Sequence, residues 1–248
     1  MTGPAAGSTP ADPRLAELRE RLAAVRRRIS DAAADAGRGD APPQLIVVTK
    51  FHPAEDVARL AALGVTDVGE NRDQEAAEKA ARLQELQLRW HFIGQLQSNK
   101  AKSVVKYAHA VHSVDRPQLV TALAKAVRAE QERTGRGDLE CFIQVSLDEE
   151  ADGHRGGALP ADVPALGEQL SGTPGLRLAG VMAVAPLGAA PEGAFEKLAE
   201  ISARLRSDHP HATGISAGMS QDLEAAIRFG ATHLRIGSDI LGPRPALR

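Results

Sequence analysis

The chain has 248 residues, 43% of them hydrophobic, which is enough for one large domain with its own core. Its 30 basic and 32 acidic residues leave a net charge of −2, so nothing draws the whole molecule to nucleic acid or an anionic membrane, and partners must be read from local sites. The single cysteine, Cys141, excludes an internal disulfide and lies in the apolar run Cys141-Phe142-Ile143; with no apolar run of about 18 residues and no basic-then-apolar leader, the expectation is a reducing, cytoplasmic setting without a membrane span or secretory signal.

Residues 1–12 are rich in Ala, Gly, Ser and Pro and read as a disordered tail, leaving 13–248 as one domain. Leu15, Leu18, Leu22, Val25 and Ile29 recur at three- and four-residue spacing, predicting an amphipathic helix from Pro13 to Ala36 that Gly37 ends. Leu45 to Lys50 is a β-branched apolar run ending in a lysine, which reads as a strand buried on both faces. His52-Pro53 closes it, Pro53 can open a helix, Glu55 and Asp56 suit that helix's first turn, and Gly64 stops it.

Further strands are expected at 66–71, 90–94, 110–114, 139–147, 178–184, 212–216 and 233–236. Helices are expected at 72–86, over a basic stretch holding Lys100, Lys102 and Lys106, at 117–134, around Phe195, Leu198, Ile201 and Leu205, and at 221–229. Asp115 and Gln118 suit a capping box for the helix from Pro117. Eight strands alternating with helices predict an α/β fold, a single (β/α)8 TIM barrel. Few residues follow the eighth strand, so the extra N-terminal helix is expected to cover the gap between strands eight and one. An open doubly wound sheet would want a glycine-rich loop where Thr49-Lys50-Phe51-His52 stands.

Lys50 thus falls at the carboxyl end of a strand, where parallel α/β folds bind ligands and a desolvated amine can attack a carbonyl. A lysine reaching out to solvent is the more ordinary reading of that stretch alone. Ser216-Ala217-Gly218-Met219-Ser220 after strand seven and Gly237-Ser238 after strand eight offer N–H groups and hydroxyls where such barrels hold phosphate, although Ser220 also suits helix capping. Arg235, inside strand eight, must be paired or functional; it is expected to share a pocket with Lys50, with an ion pair to Glu70 as the structural alternative. Asn71 is placed either for the pocket or to cap the next helix, and His91, between Trp90 and Phe92, also reads as a core histidine. No metal-ligand spacing and no hydrolase elbow occur. Together these features describe a pocket for a phosphorylated aldehyde, which pyridoxal phosphate fits.

The sequence resembles the pyridoxal-phosphate homeostasis protein family, whose fold is like the alanine racemase N-terminal domain. The resemblance rests on Val48-Thr49-Lys50, Gly69-Glu70-Asn71-Arg72 with Gln74-Glu75, Trp90-His91-Phe92-Ile93-Gly94 with Leu96-Gln97 and Asn99-Lys100, His112-Ser113-Val114-Asp115-Arg116, Gly180-Val181-Met182, Gly218-Met219-Ser220 with Asp222, and Arg235-Ile236-Gly237-Ser238 with Gly242. It implies the cofactor pyridoxal 5'-phosphate, an internal aldimine on Lys50, Arg235 facing the pyridine nitrogen, and Ser220, Gly237 and Ser238 at the phosphate. Asn71, His91, Met182, Ser216 and Met219 would line the pocket by the same resemblance. Ser146, Arg155 and Ala217 depart from the family pattern, and the first two, on strand five and the loop after it, put any ligand contact there in doubt.

An arginine facing the ring nitrogen donates a hydrogen bond and disfavours ring protonation, which weakens the cofactor as an electron sink. Related racemases add a catalytic tyrosine from a second domain, whereas the one tyrosine here, Tyr107, precedes strand four and is expected to face away from the strands' carboxyl ends. The expectation is a monomeric carrier that stores, protects or delivers the cofactor, with recipient pyridoxal-phosphate enzymes as partners and no regular turnover. A small racemase or decarboxylase using Lys50 and His91, and a cofactor-free Schiff-base aldolase, remain as alternatives.

Overall fold

A computed structural model describes residues 12–147, 156–186, 188 and 190–243. Residues 1–11 of the tail expected at 1–12, and the departure at Arg155, lie outside the described residues, while Asp12 belongs to the start of α1. The strands are β1 (Gln44–Val48), β2 (Asp67–Glu70), β3 (Arg89–Phe92), β4 (Ala108–Val114), β5 (Leu139–Gln144), β6 (Leu176–Met182), β7 (Gly214–Ser216) and β8 (His233–Ile236). They close a parallel barrel in sequence order. Closure comes from β1 pairing with β8, with Ile46 opposite Arg235 and Val47 opposite Ile236.

The helices are α1 (Pro13–Asp35), α2 (Ala54–Ala62), α3 (Asp73–Arg82), α4 (Ala101–Val104), α5 (Pro117–Thr134), α6 (Val163–Ser171), α7 (Pro191–Asp208), α8 (Leu223–Arg228) and α9 (Ser238–Leu241). α1 follows from its apolar stripe: Leu18, Leu22, Val25, Ile29 and Ala33 are all buried. Asp12 begins it, accepting from the N–H groups of Arg14 and Leu15, which satisfies two of the donors a helix start leaves open. α1 packs on α2, α8 and α9, so it closes the gap that the four-residue α9 cannot cover.

Two cores result. The larger fills the space between strands and helices. The smaller, Ala110, Phe142, Ala179 and Met182, lies inside the barrel. Room for Phe142 comes from two glycines: a Cβ on Gly214 would stand 2.5 Å from its ring, and one on Gly180, at φ +150°, would stand 1.8 Å from the Gly214 carbonyl oxygen. Only glycine tolerates that approach.

Several boundaries differ from expectation. β1 ends at Val48, so Lys50 lies in the turn beyond it. α5 starts without a side-chain cap, because Asp115 pairs with Arg116 at 2.5 Å instead of reaching back to the helix. α8 begins at Leu223, two residues later than predicted, with Asp222 at its start. α6 has no counterpart among the expected helices.

Candidate functional site

At the end of β1 the chain makes a tight turn, with the His52 N–H on the Thr49 carbonyl at 3.1 Å. Phe51 sits in the left-handed region at φ 67°, a conformation that costs an aromatic residue about 1–3 kcal/mol and persists only where neighbours impose it. They do so here on both flanks of Lys50. The Lys79 ammonium, buried on α3, donates to the Thr49 carbonyl at 2.9 Å, to Glu70 at 2.7 Å and to Glu75 at 2.6 Å. The Thr49 hydroxyl donates to Glu70 at 2.6 Å, and the Phe51 N–H donates to Glu75 at 2.7 Å. Arg72 covers the Phe51 ring at 4.7 Å. Burial pushes the Glu70 carboxyl above its ordinary pKa, against the pull of Lys79.

Lys50 opens into a cavity of about 550 Å³ at the carboxyl ends of the strands, within the range of small-molecule sites. Arg235, Gly237, Ser238, Met219 and Ser220 share its wall with Lys50. Arg235 is buried and held rigidly: Nη1 donates to the carbonyl and hydroxyl of Ser216, both at 2.6 Å, and Nη2 donates to the Ala183 carbonyl at 2.8 Å. Desolvation brings its pKa down to about 10, which leaves it charged at neutral pH. Glu70 pairs with Lys79 and not with Arg235, so the alternative ion pair does not form.

The loops after β7 and β8 meet across the cavity. Ser220 and Ser238 bring their hydroxyl oxygens to 3.2 Å of one another. Gly218, at φ +94°, folds the first loop against Ala226 and Leu234, and its carbonyl accepts from the Arg235 N–H at 2.9 Å. Asp222 turns back to accept from the Met219 N–H at 2.6 Å, so that N–H is taken and Ser220 does not cap α8. Behind both loops stands Arg28 of α1, donating to the Ser220 carbonyl at 3.1 Å, to Glu224 of α8 and, at 2.8 Å, to Asp239 of α9.

These groups fit a phosphorylated aldehyde. An amine and a fixed guanidinium stand on one wall, and two hydroxyls face each other at the loop ends. Gly237, where a Cβ would come to 3.2 Å from the Val48 carbonyl oxygen, keeps backbone at the surface beside Ser238. Among the described residues no cluster of His, Cys, Asp and Glu could hold a metal ion.

The other expected residues are not on that wall. Ser216 lies one layer inward, beneath Arg235. Met182 belongs to the apolar cluster inside the barrel. His91 is buried deeper, with Nε2 at 2.8 Å from Asp67 and Nδ1 at 2.9 Å from His112. Asn71 does not cap α3, whose first turn has no side-chain cap, and its Oδ1 is buried without a hydrogen-bond partner. Tyr107 reaches Asp73 at 3.4 Å, away from the cavity, and burial raises its pKa. The Cys141 thiol is buried and pushed up to about 12. Sequence reasoning missed Lys79, Arg28 and His112, which touch the site only through other residues; Glu75 and His112 stood in the quoted motifs without an assigned role.

Residues 21–245 match the family model for the alanine racemase N-terminal domain. The pyridoxal phosphate homeostasis protein of Mycobacterium tuberculosis is 44% identical over 245 residues, covering 93% of this chain and 94% of that one. The protein of the same name from Escherichia coli is 35% identical over 238 residues, covering 92% and 97%. PipY of Synechococcus elongatus, solved with PLP bound, superposes with a TM-score of 0.78 at 33% identity over 91% of this chain and all of its own.

Proposed function

The chain belongs to the pyridoxal phosphate homeostasis protein family, and from that membership we propose that it holds pyridoxal 5'-phosphate covalently on Lys50 and stores, protects or delivers it without regular turnover. One observation carries the assignment of residues: Lys50, Arg235, Ser220, Gly237 and Ser238, drawn from the ends of β1, β7 and β8, line a single cavity. When bound, the cofactor supplies an aldehyde carbon open to amine attack and a ring that can accept electrons. Lys50 provides the amine, and the strained turn clamped by Lys79, Glu70 and Glu75 aims it. Arg235, fixed by Ser216 and Ala183, presents a permanent donor to the ring nitrogen. The Ser220 and Ser238 hydroxyls and the backbone at Gly237 receive the phosphate.

The racemase reading pairs Lys50 with His91, while Tyr107 already reads as facing away from the strands' carboxyl ends. His91 is buried beneath the wall, Tyr107 is tied to Asp73, and the wall's carboxylate, Asp222, is engaged by the Met219 N–H. That placement supports a carrier, because an acid–base group must reach the reacting proton. The same reading takes the protein as a cytoplasmic monomer that passes the cofactor to recipient enzymes. Light scattering should give the mass of one chain.

The test is the visible spectrum with pyridoxal phosphate, before and after borohydride. The expected outcome is a yellow protein in which reduction fixes the cofactor to Lys50, while Lys50→Ala stays colourless. Equal spectra for both proteins would sink the assignment. Loss of α-deuterium from any amino acid at enzymatic rates would replace the carrier by a catalyst.

A further inference from the structure

Beneath the cavity a line of buried polar groups crosses the barrel from β8 to β2. Arg235 Nη1 lies 2.6 Å from the Ser216 hydroxyl, which lies 2.9 Å from His112 Nδ1. His112 Nε2 is 2.9 Å from His91 Nδ1, and His91 Nε2 is 2.8 Å from Asp67 Oδ1. All five side chains are buried. With both imidazoles kept neutral by burial, the chemistry of the two ends fixes every proton between them. A guanidinium can only donate, and an ionised carboxylate can only accept.

Asp67 is saturated as an acceptor: Gln44 at 2.7 Å joins His91 on Oδ1, while Thr66 and Arg89, each at 2.7 Å, occupy Oδ2. Burial opposes its ionisation, but the hydrogen bonds from His91, Arg89 and Thr66 hold its pKa well below the ordinary carboxylate value. His91 must then donate from Nε2 and accept at Nδ1; His112 must donate from Nε2 and accept at Nδ1 from the Ser216 hydroxyl; Ser216 is left to accept from Arg235. No group has a spare proton and none lacks a partner along this line. The His112 ring is further fixed by stacking on Phe142 at 4.3 Å, with His233 edge-on at 6.2 Å, and His109 meets His91 edge-on at 5.8 Å.

We propose that Asp67, His91 and His112 are positioning residues for Arg235, forming with Ser216 a one-way chain of hydrogen bonds that carries the counter-charge of Asp67 to the guanidinium and locks its orientation toward the cavity. The chain cannot reverse, because reversal would leave His91 Nε2 an acceptor and require the ionised Asp67 carboxylate to donate to it. It therefore polarises the arginine and conducts no proton to the site. The role given to Arg235 rests on the functional reading above; the direction of the chain does not.

Side-chain nitrogen-15 spectra of the ligand-free protein at neutral pH test the direction. The expected result is a single proton on Nε2 of both His91 and His112. A proton on Nδ1 of either ring, or on both nitrogens, overturns the chain. For positioning, His112→Phe keeps an aromatic ring beside Phe142 and removes both hydrogen bonds. Its Arg235 guanidinium signals should shift, and its affinity for pyridoxal phosphate should fall by about tenfold, the order expected when a buried hydrogen bond is lost. A folded His112→Phe protein with unmoved Arg235 signals and unchanged affinity refutes the positioning role. Should that variant not fold, Asp67→Asn, remote from the cavity, carries the same readouts. If wild-type protein fails to bind pyridoxal phosphate, the functional reading fails, and the tautomers and arginine signals still decide the chain.

Discussion

Lys79 shows how much of the site depends on a side chain that never reaches the cavity. Its ammonium, 6% exposed, is shared among the Thr49 carbonyl, Glu70 and Glu75, and one Glu70 oxygen is already buried without a partner. Lys79→Met would leave the Glu70 carboxylate without its cation. The expected cost is about 3–5 kcal/mol in urea-induced unfolding. Replacing both partners, as in Glu70→Leu with Lys79→Met, should recover much of that loss, since no buried charge is then stranded. In the single variant the Phe51 turn loses its clamp, and borohydride labelling of Lys50 by pyridoxal phosphate should slow. Labelling at the wild-type rate would show that the turn holds its shape unaided.

At the scale of elements, Arg28 is the link between α1 and the ligand loops. It ties the Ser220 carbonyl, Glu224 and Asp239 into one unit, and its guanidinium is partly exposed, so the ion pairs are screened. Arg28→Ala should weaken pyridoxal phosphate binding about fivefold, or ~1 kcal/mol, with little change in the spectrum of the bound form; equilibrium titration checks this. β1 was readable because the β-branched run Leu45 to Val48 is too short for a buried helix and is closed by His52-Pro53, and β8 has the predicted bounds His233–Ile236. α6 was hidden by Pro164 and Gly167, which look like helix breakers. Gly167 is there because a Cβ would stand 2.7 Å from Leu205 of α7. The cavity wall was legible from short polar loops after particular strands. The supports were not: Arg28 meets Glu224 across 196 residues and His112 meets Ser216 across 104, separations that leave no trace in local spacing.

For the whole molecule, closure is the decisive fact. The barrel's β1 to β8 seam is covered by α1, which buries Leu18, Leu22, Val25 and Ile29. Each such side chain contributes about 1.5–3 kcal/mol, and a domain's entire stability is ~5–15 kcal/mol. A chain lacking residues 1–36 is therefore expected not to fold, showing no cooperative unfolding transition in circular dichroism. A cooperative melt close to that of the full chain would show that the seam needs no cover.

Because α1 is synthesised well ahead of its partners α8 and α9, the molecule also has a built-in delay. Arg14 must wait for the carbonyl of Leu241, 227 residues later. At ribosomal speeds of about 5–20 residues per second the wait is roughly 10–45 s. Throughout that interval the oily face of the first helix has only α2 beside it, and the part that packs on α8 and α9 stays uncovered. A holding chaperone would find its target on that face and lose it once α8 and α9 arrive.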